Sequence, residues 1–203
     1  MKNLIILIFL VFSYQGFSQI LPSSHGVHHK KSSGGAVSDT WDSSTKASCI
    51  TLSNSNLTSL ESNCGVSWNN VYGSTGVSSG INEWEVTIDD YDNASNAYGV
   101  MIGVSKLRTQ NPSSAVAAGS YSYILENGKK FTNNAPYGHT ASNYGAAYGV
   151  GDVIKISLNM DNNQLTFYKN GVSQGVAFSV SNGTYYLVAS YVRLTNTQIT
   201  ITN

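Results

Sequence analysis

The stretch Gly151-Asp152-Val153-Ile154-Lys155-Ile156-Ser157-Leu158-Asn159-Met160-Asp161-Asn162-Asn163-Gln164-Leu165-Thr166-Phe167-Tyr168-Lys169-Asn170-Gly171 sets the fold class. Ile154, Ile156, Leu158 and Met160 fall on one side, with Lys155, Ser157 and Asn159 on the other. That period of two is the signature of a half-buried strand. Asp161-Asn162-Asn163 breaks the run, and Leu165 with Phe167 resumes the alternation. Asn170-Gly171 then supplies the positive φ angles that a tight hairpin turn requires.

The same period recurs outward in both directions. Ile50 alternates with Leu52, Trp84 with Val86 and Ile88, and Tyr98 with Val100, Ile102 and Val104. Shorter runs are Tyr185 to Val192 and Ile199 with Ile201, and further turn signals are Asn127-Gly128 and Asn182-Gly183. No amphipathic helix longer than about three turns is legible. Many short antiparallel strands at this spacing predict an all-β, bent antiparallel β-sandwich over 47–203.

Composition agrees and excludes other classes. The 203 residues include 11 Lys+Arg and 11 Asp+Glu, so formal charge is zero and charged residues make up 11%. A nucleic-acid surface needs clustered basic residues, and none is present, so no nucleic-acid partner is expected. With 41% hydrophobic residues, 19 Gly and 13 Tyr against 3 Pro, the chain suits strands joined by turns.

The first residues pose a separate problem. Lys2 precedes the apolar run Leu4 to Phe12, and Gly16 and Ser18 place small residues at the −3 and −1 positions of a cleavage site. The run is shorter than the roughly 20 residues a membrane span needs. A signal peptide over 1–18 is therefore expected, with Gln19 as the mature N terminus, no membrane span, and secretion or another extracytoplasmic setting. Residues 19–46 lack a hydrophobic period and carry His25, His28 and His29 near Gly34-Gly35; they read as a flexible linker in which Trp41 alone docks. Those histidines could meet a soft divalent metal, but no Cys or carboxylate nearby completes a four-ligand set. The mature part holds two cysteines, Cys49 and Cys64, and an exported chain usually pairs them. Closing a loop of about 15 residues adds roughly 3 kcal/mol by the chain-entropy estimate.

Ser79-Gly80-Ile81-Asn82-Glu83-Trp84-Glu85-Val86, Tyr98-Gly99-Val100-Met101-Ile102-Gly103-Val104, and Gly151-Asp152-Val153-Ile154 followed by Leu165-Thr166-Phe167-Tyr168-Lys169-Asn170-Gly171 and Gly175-Val176-Ala177-Phe178 occur in this order. Together they resemble the strand motifs of the SPRY domain family, over about Cys49 to Asn203. Glu83 departs from the pattern by standing where the family usually has an aromatic. The resemblance implies a lectin-like sandwich that is not catalytic and grips a protein or peptide with loops at one end. By their own chemistry the motif residues carry the fold: Trp84, Phe167 and Phe178 supply core area, and Gly103, Gly151 and Gly171 relieve backbone crowding.

The resemblance places the contact surface at Tyr72 to Ser79, Lys106 to Ser120 and Tyr191 to Asn196. We add Asn133 to Tyr148, because tyrosines among small polar residues offer rigid contact area at low entropic cost. Candidate ligand-binding residues are Arg108, Tyr137, Tyr144, Tyr148, Tyr191 and Arg193. Tyrosine rings also stack on sugars, so a glycan ligand is the alternative to a protein or peptide. Low charge predicts weak salt dependence.

Catalysis is a competing class. Glu83 and Glu85 share a strand face about 7 Å apart, near the separation of an inverting glycosidase pair. Thr87 takes the place of a third carboxylate, and the pair reads as a charged solvent face. His139 sits without a nucleophile signature, and no phosphate loop opens a helix, so neither an enzyme nor a cofactor is expected. Asp89-Asp90-Tyr91-Asp92-Asn93 offers oxygen ligands for calcium but lacks the glycine and distal Glu of a helix–loop–helix site, so no metal is assigned. Sequons occur at Asn56, Asn93 and Asn182.

Overall fold

In a computed structural model, residues 34–62, 64–65, 67–92, 99–110, 119–134, 138–192, 194 and 196–202 are described. The expected signal peptide, residues 19–33, Tyr98, Tyr137 and Arg193 lie outside them. Among the described residues there are fourteen strands and no helix. In chain order they are β1 (Gly35–Ala36), β2 (Ile50–Ser53), β3 (Thr58–Glu61), β4 (Asn69–Tyr72), β5 (Ile81–Asp90), β6 (Val100–Ser105) and β7 (Ser120–Ile124). Then follow β8 (Lys129–Asn134), β9 (Gly138–Asn143), β10 (Val153–Asn159), β11 (Gln164–Lys169), β12 (Val172–Ser179), β13 (Tyr186–Tyr191) and β14 (Thr197–Ile201).

One sheet has the order β12-β11-β10-β5-β14-β3-β2, and the other β4-β13-β6-β7-β8-β9. Pairing in both is antiparallel, except that β1 lies parallel against the start of β5. The expected sandwich is thus what forms. Inward faces meet as the period of two dictates: Trp84, Val86, Ile156, Leu158 and Phe167 from the first sheet, and Ile102, Val104, Tyr121, Tyr123 and Leu187 from the second. Tyr121 tilts against Phe178 at 5.1 Å between ring centroids, and Tyr123 against Phe167 at 5.3 Å. Full burial of each large apolar side chain is worth about 1.5–3 kcal/mol. A smaller cluster, Met101, Ile124 and Phe131 with Trp68 and Ala141, covers the opposite side of the second sheet.

The hairpin between β11 and β12 turns at Asn170 (φ 49°) and Gly171 (φ 78°), as the sequence predicts. The turn at Asn127-Gly128 is wider than expected. Only Gly128 takes a positive φ, 65°, and its N–H returns to the Ile124 carbonyl at 3.2 Å. Cys49 and Cys64 form the expected disulfide, with Cα atoms 5.4 Å apart, across the β2–β3 hairpin.

The linker boundary at Ala47 is corrected. Gly35 and Ala36 pair with Asn82 and Glu83, and the Val37 N–H donates to the Glu83 carbonyl at 2.8 Å. Val37, Asp39 and Trp41 are buried, so residues 34–46 belong to the sandwich. Trp41 docks as expected. The segment shows no period of two because its hold is main-chain pairing, one carboxylate and two isolated apolar side chains four residues apart, Val37 and Trp41. The stretch Asn133 to Tyr148, read as a contact loop, contains the strand β9.

Candidate functional site

Register decides which loops share an end of the sandwich. Ser105 pairs with Tyr186, Val188 with Tyr72, and Ser105 with Ser120. The segments after β4 and β6 and the turn before β13 therefore converge at one end. Tyr191, by contrast, pairs with Val100 and Asn69 at the far end of the same strands, about 17 Å away along a six-residue strand. The surface expected from three loops is corrected on this point: among the described residues, 72–79 come together with 106–110 and 119–120, and Tyr191 and Val192 do not join them.

At the first end the organising group is Asp39. Its Oδ1 accepts hydrogen bonds from Thr40 N at 2.9 Å, Ser74 Oγ at 2.8 Å and Thr75 N at 2.9 Å. Its Oδ2 accepts from Trp84 Nε1 at 3.0 Å, and the side chain is buried. One carboxylate thus ties the N-terminal segment and the loop after β4 to β5. Three residues on, Asp42 Oδ2 meets Arg108 Nη1 at 2.7 Å, while its Oδ1 accepts from Ser44 N and Oγ at 2.8 and 2.7 Å. Against the desolvation of partial burial, these bonds and the Arg108 charge hold the Asp42 carboxyl below its usual value. The Arg108 guanidinium lies 4.5 Å over the ring of Tyr186. A planar cation stacked on an aromatic face and anchored by a carboxylate is held in one orientation. Gly76 makes room for that ring, because a Cβ there would come within 2.8 Å of Tyr186. Leu107 beside Arg108 is exposed. Lys106 Nζ donates to Ser181 Oγ at 2.8 Å and the Asn182 carbonyl at 2.6 Å, closing the neighbouring turn.

The remaining candidates separate. Tyr148 and Tyr191 are buried and correct the expectation that they meet a ligand. Tyr148 donates to the Tyr123 carbonyl at 2.7 Å, and Tyr191 shares a hydrogen bond of 2.7 Å with Ser59 Oγ. Tyr191 shares the core face with Tyr185, Leu187 and Ala189, and Tyr186 lies on the opposite face, a signal the period of two carries. Tyr144 is half-buried; its hydroxyl accepts from Phe167 N at 3.1 Å and donates to the Gly175 carbonyl at 2.6 Å. Register slips between β11 and β12 at this point, and the phenol satisfies the main-chain groups the bulge leaves over. Tyr137 and Arg193 lie outside the described residues. Asp39, Asp42 and Tyr186 are the residues of this end that the sequence reading did not name.

Glu83 and Glu85 do not form a free acid–base pair. Glu83 accepts from Ser157 Oγ at 3.0 Å and faces Lys155 Nζ at 3.5 Å, and Glu85 is also partnered. Asp89 accepts from Thr200 Oγ1 at 2.5 Å, and Asp90 from Asn196 Nδ2 at 3.0 Å. Among the described residues no three His, Cys, Asp or Glu side chains gather around a metal position.

The far end carries two carboxyls shielded from water. Glu61 is fully buried, with Oε1 accepting from Cys64 N at 2.7 Å and Oε2 unpartnered. Glu126 Oε1 accepts from Gly99 N at 2.6 Å and from the Tyr91 hydroxyl, and its Oε2 is also unpartnered. Burial pushes both acids up from the usual carboxylate value, and Asp92 adds to the rise at Glu61. Because the folded state binds these protons more tightly than the unfolded chain, stability rises as pH falls from neutral through the raised values. The gain stops near the unfolded value of 4.5. Asp42 and Asp152, both lowered, act oppositely and remove stability only at more acidic pH, below about 4. The melting temperature should therefore be higher near pH 5 than near pH 7.5, roughly, and Glu61→Gln with Glu126→Gln should flatten that rise. A profile that falls steadily on acidification would contradict this assignment.

Comparison with known proteins supports the same architecture. The family model described as SPRY domain matches residues 82–202. The solved SPRY domain of human HERC1 superposes with a TM-score of 0.67 at 20% identity, covering 80% of this chain and 97% of that one. The TRIM65 PSpry domain gives 0.63 at 17% identity, covering 83% and 94%. A Dictyostelium discoideum protein described as dual specificity protein kinase splA is 35% identical over 68 residues, 33% of this chain and 3% of its own length.

Proposed function

The chain belongs to the SPRY domain family, whose members are generally non-catalytic modules of protein–protein interaction, and from that premise we propose that it recognises a protein or peptide through the end of the sandwich built around Arg108. The observation that carries the reading is the Arg108–Tyr186 stack, braced by Asp42 and by the Asp39 network. It offers a fixed guanidinium with donors to spare, the half-buried Tyr186 ring that supports it and the exposed Leu107 beside it. Aromatic and Arg anchors on rigid supports are the residue types that dominate binding energy at interfaces. The reading includes an extracytoplasmic setting, supported by the leader-like residues 1–18 and by the Cys49–Cys64 disulfide. The protein recovered from its source should therefore begin at Gln19; recovery beginning at Met1 would remove that part.

Peptides selected from a random display library on the mature chain provide the test. Arg108→Ala and Tyr186→Ala should each weaken the selected peptides about tenfold or more, with melting temperatures kept. Val172→Ala, exposed on the edge strand β12, should leave affinity unchanged. Wild-type affinity in both Arg108→Ala and Tyr186→Ala would overturn the assignment.

A further inference from the structure

Three Asn-Gly steps occupy turns: Asn127-Gly128, Asn170-Gly171 and Asn182-Gly183. Such a step carries a reaction of its own, because glycine has no side chain to block its main-chain nitrogen from the preceding side-chain amide carbon. In a fold the reaction also needs that amide free to rotate and that nitrogen free to approach.

The three turns differ on both counts. Asn170 Oδ1 accepts from Val153 N at 2.8 Å, and its Nδ2 donates to Asp152 Oδ1 at 2.7 Å. Asn127 Oδ1 accepts from Lys129 N at 3.0 Å, and the Gly128 nitrogen is engaged with the Ile124 carbonyl. Asn182 is exposed, and only its main-chain carbonyl is held, by Lys106 Nζ at 2.6 Å. Its side-chain amide and the Gly183 nitrogen have no hydrogen-bond partner among the described residues.

We infer that Asn182 is a site of spontaneous deamidation, the one Asn-Gly step of the three that the fold leaves unprotected. The Gly183 nitrogen forms a bond to the Asn182 amide carbon, the bond from that carbon to Nδ2 breaks, and ammonia leaves carrying the glycine amide proton. Water then opens the succinimide at either carbonyl, giving aspartate or isoaspartate. The product adds a carboxylate to the residue whose main-chain carbonyl the Lys106 ammonium already holds at 2.6 Å. Isoaspartate also lengthens the main chain of the turn leading into Tyr185 and Tyr186. Neither the reaction nor its test depends on the binding role proposed above.

The test is peptide mapping by mass spectrometry of the native full chain, held in mildly alkaline buffer, beside the same chain reduced and unfolded in denaturant. Unfolded, the three steps should convert at comparable rates. Folded, Asn182 should convert about tenfold or more faster than Asn170, since freeing the Asn170 amide breaks two hydrogen bonds, and faster than Asn127. Conversion of Asn170 or Asn127 as fast as Asn182 in the folded chain would overturn the inference. So would retention of the Asn182 amide in the folded chain while the unfolded chain converts.

Discussion

Gly103→Ala is expected to lower stability by about 3 kcal/mol or more, which for a domain of this size means a melting temperature lower by about 10 °C. Gly103 lies at the middle of β6, with Val188 of β13 on one side and Ser122 of β7 on the other. A Cβ at this position would overlap the Tyr121 carbonyl oxygen and come within 2.8 Å of the Ser122 Cα. Both are main-chain atoms of the adjacent strand, so no side-chain rotation can relieve the contact. The β6–β7 ladder would have to open along Ile102↔Tyr123 and Val104↔Tyr121, which carry the inward tyrosines of the core. Gly149→Ala is the matched control, because a Cβ there meets nothing within 4 Å. It should stay within about 0.5 kcal/mol of the parent. Equal melting temperatures for the two variants would show that the centre of this sheet is less tightly closed than described.

Asp39→Ala should be comparably severe, at about 3–5 kcal/mol. The substitution removes four accepted hydrogen bonds and leaves the buried Trp84 Nε1 and the partly buried Thr75 N without their carboxylate partner. Losing this buried acceptor costs more than the bonds are worth, because the buried donor Trp84 Nε1 stays dry and unpaired. Asp39→Asn should fall between, since an amide keeps one oxygen but turns a donor toward groups that also donate. Hydrogen exchange should accelerate at residues 73–77, and the Asp42 brace on Arg108 should loosen, so peptide binding should weaken together with stability. Parent-like melting in both variants would mean that the segment 34–46 is not held by this carboxylate.

These two positions mark what was legible in the sequence. Gly103 stood in a motif, and its role in relieving crowding could be read because glycine between Ile102 and Val104 interrupts an otherwise apolar strand. Ile154, Ile156 and Leu158 gave their strand by period alone. β7 was missed because Ser120-Tyr121-Ser122-Tyr123 buries both faces, one with hydroxyls and one with phenols, and shows no apolar alternation. β12 is bulged and carries exposed Val172 and Val176, so its period is broken. The loop motifs pointed to Arg108 because it is a charged residue in a chain with few of them. Its partners Asp42 and Tyr186 come from 66 residues before and from another strand, a juxtaposition that only the register reveals. Tyrosine-rich composition misled where Tyr148 and Tyr191 were concerned: a phenol with a buried hydrogen-bond partner is core area, and the sequence does not show that partner.

Recognition at the Arg108 end, as proposed, requires that a bound peptide shield that end of the sandwich and leave the rest of it as it was. It is tested most directly by amide hydrogen exchange on the mature chain with and without a selected peptide at saturation. Exchange should slow at residues 73–79, 106–110 and 181–186, with no change at 61–68, 125–128 or 144–152. Protection confined to the far end, or to the outer strands β12 and β9, would contradict it.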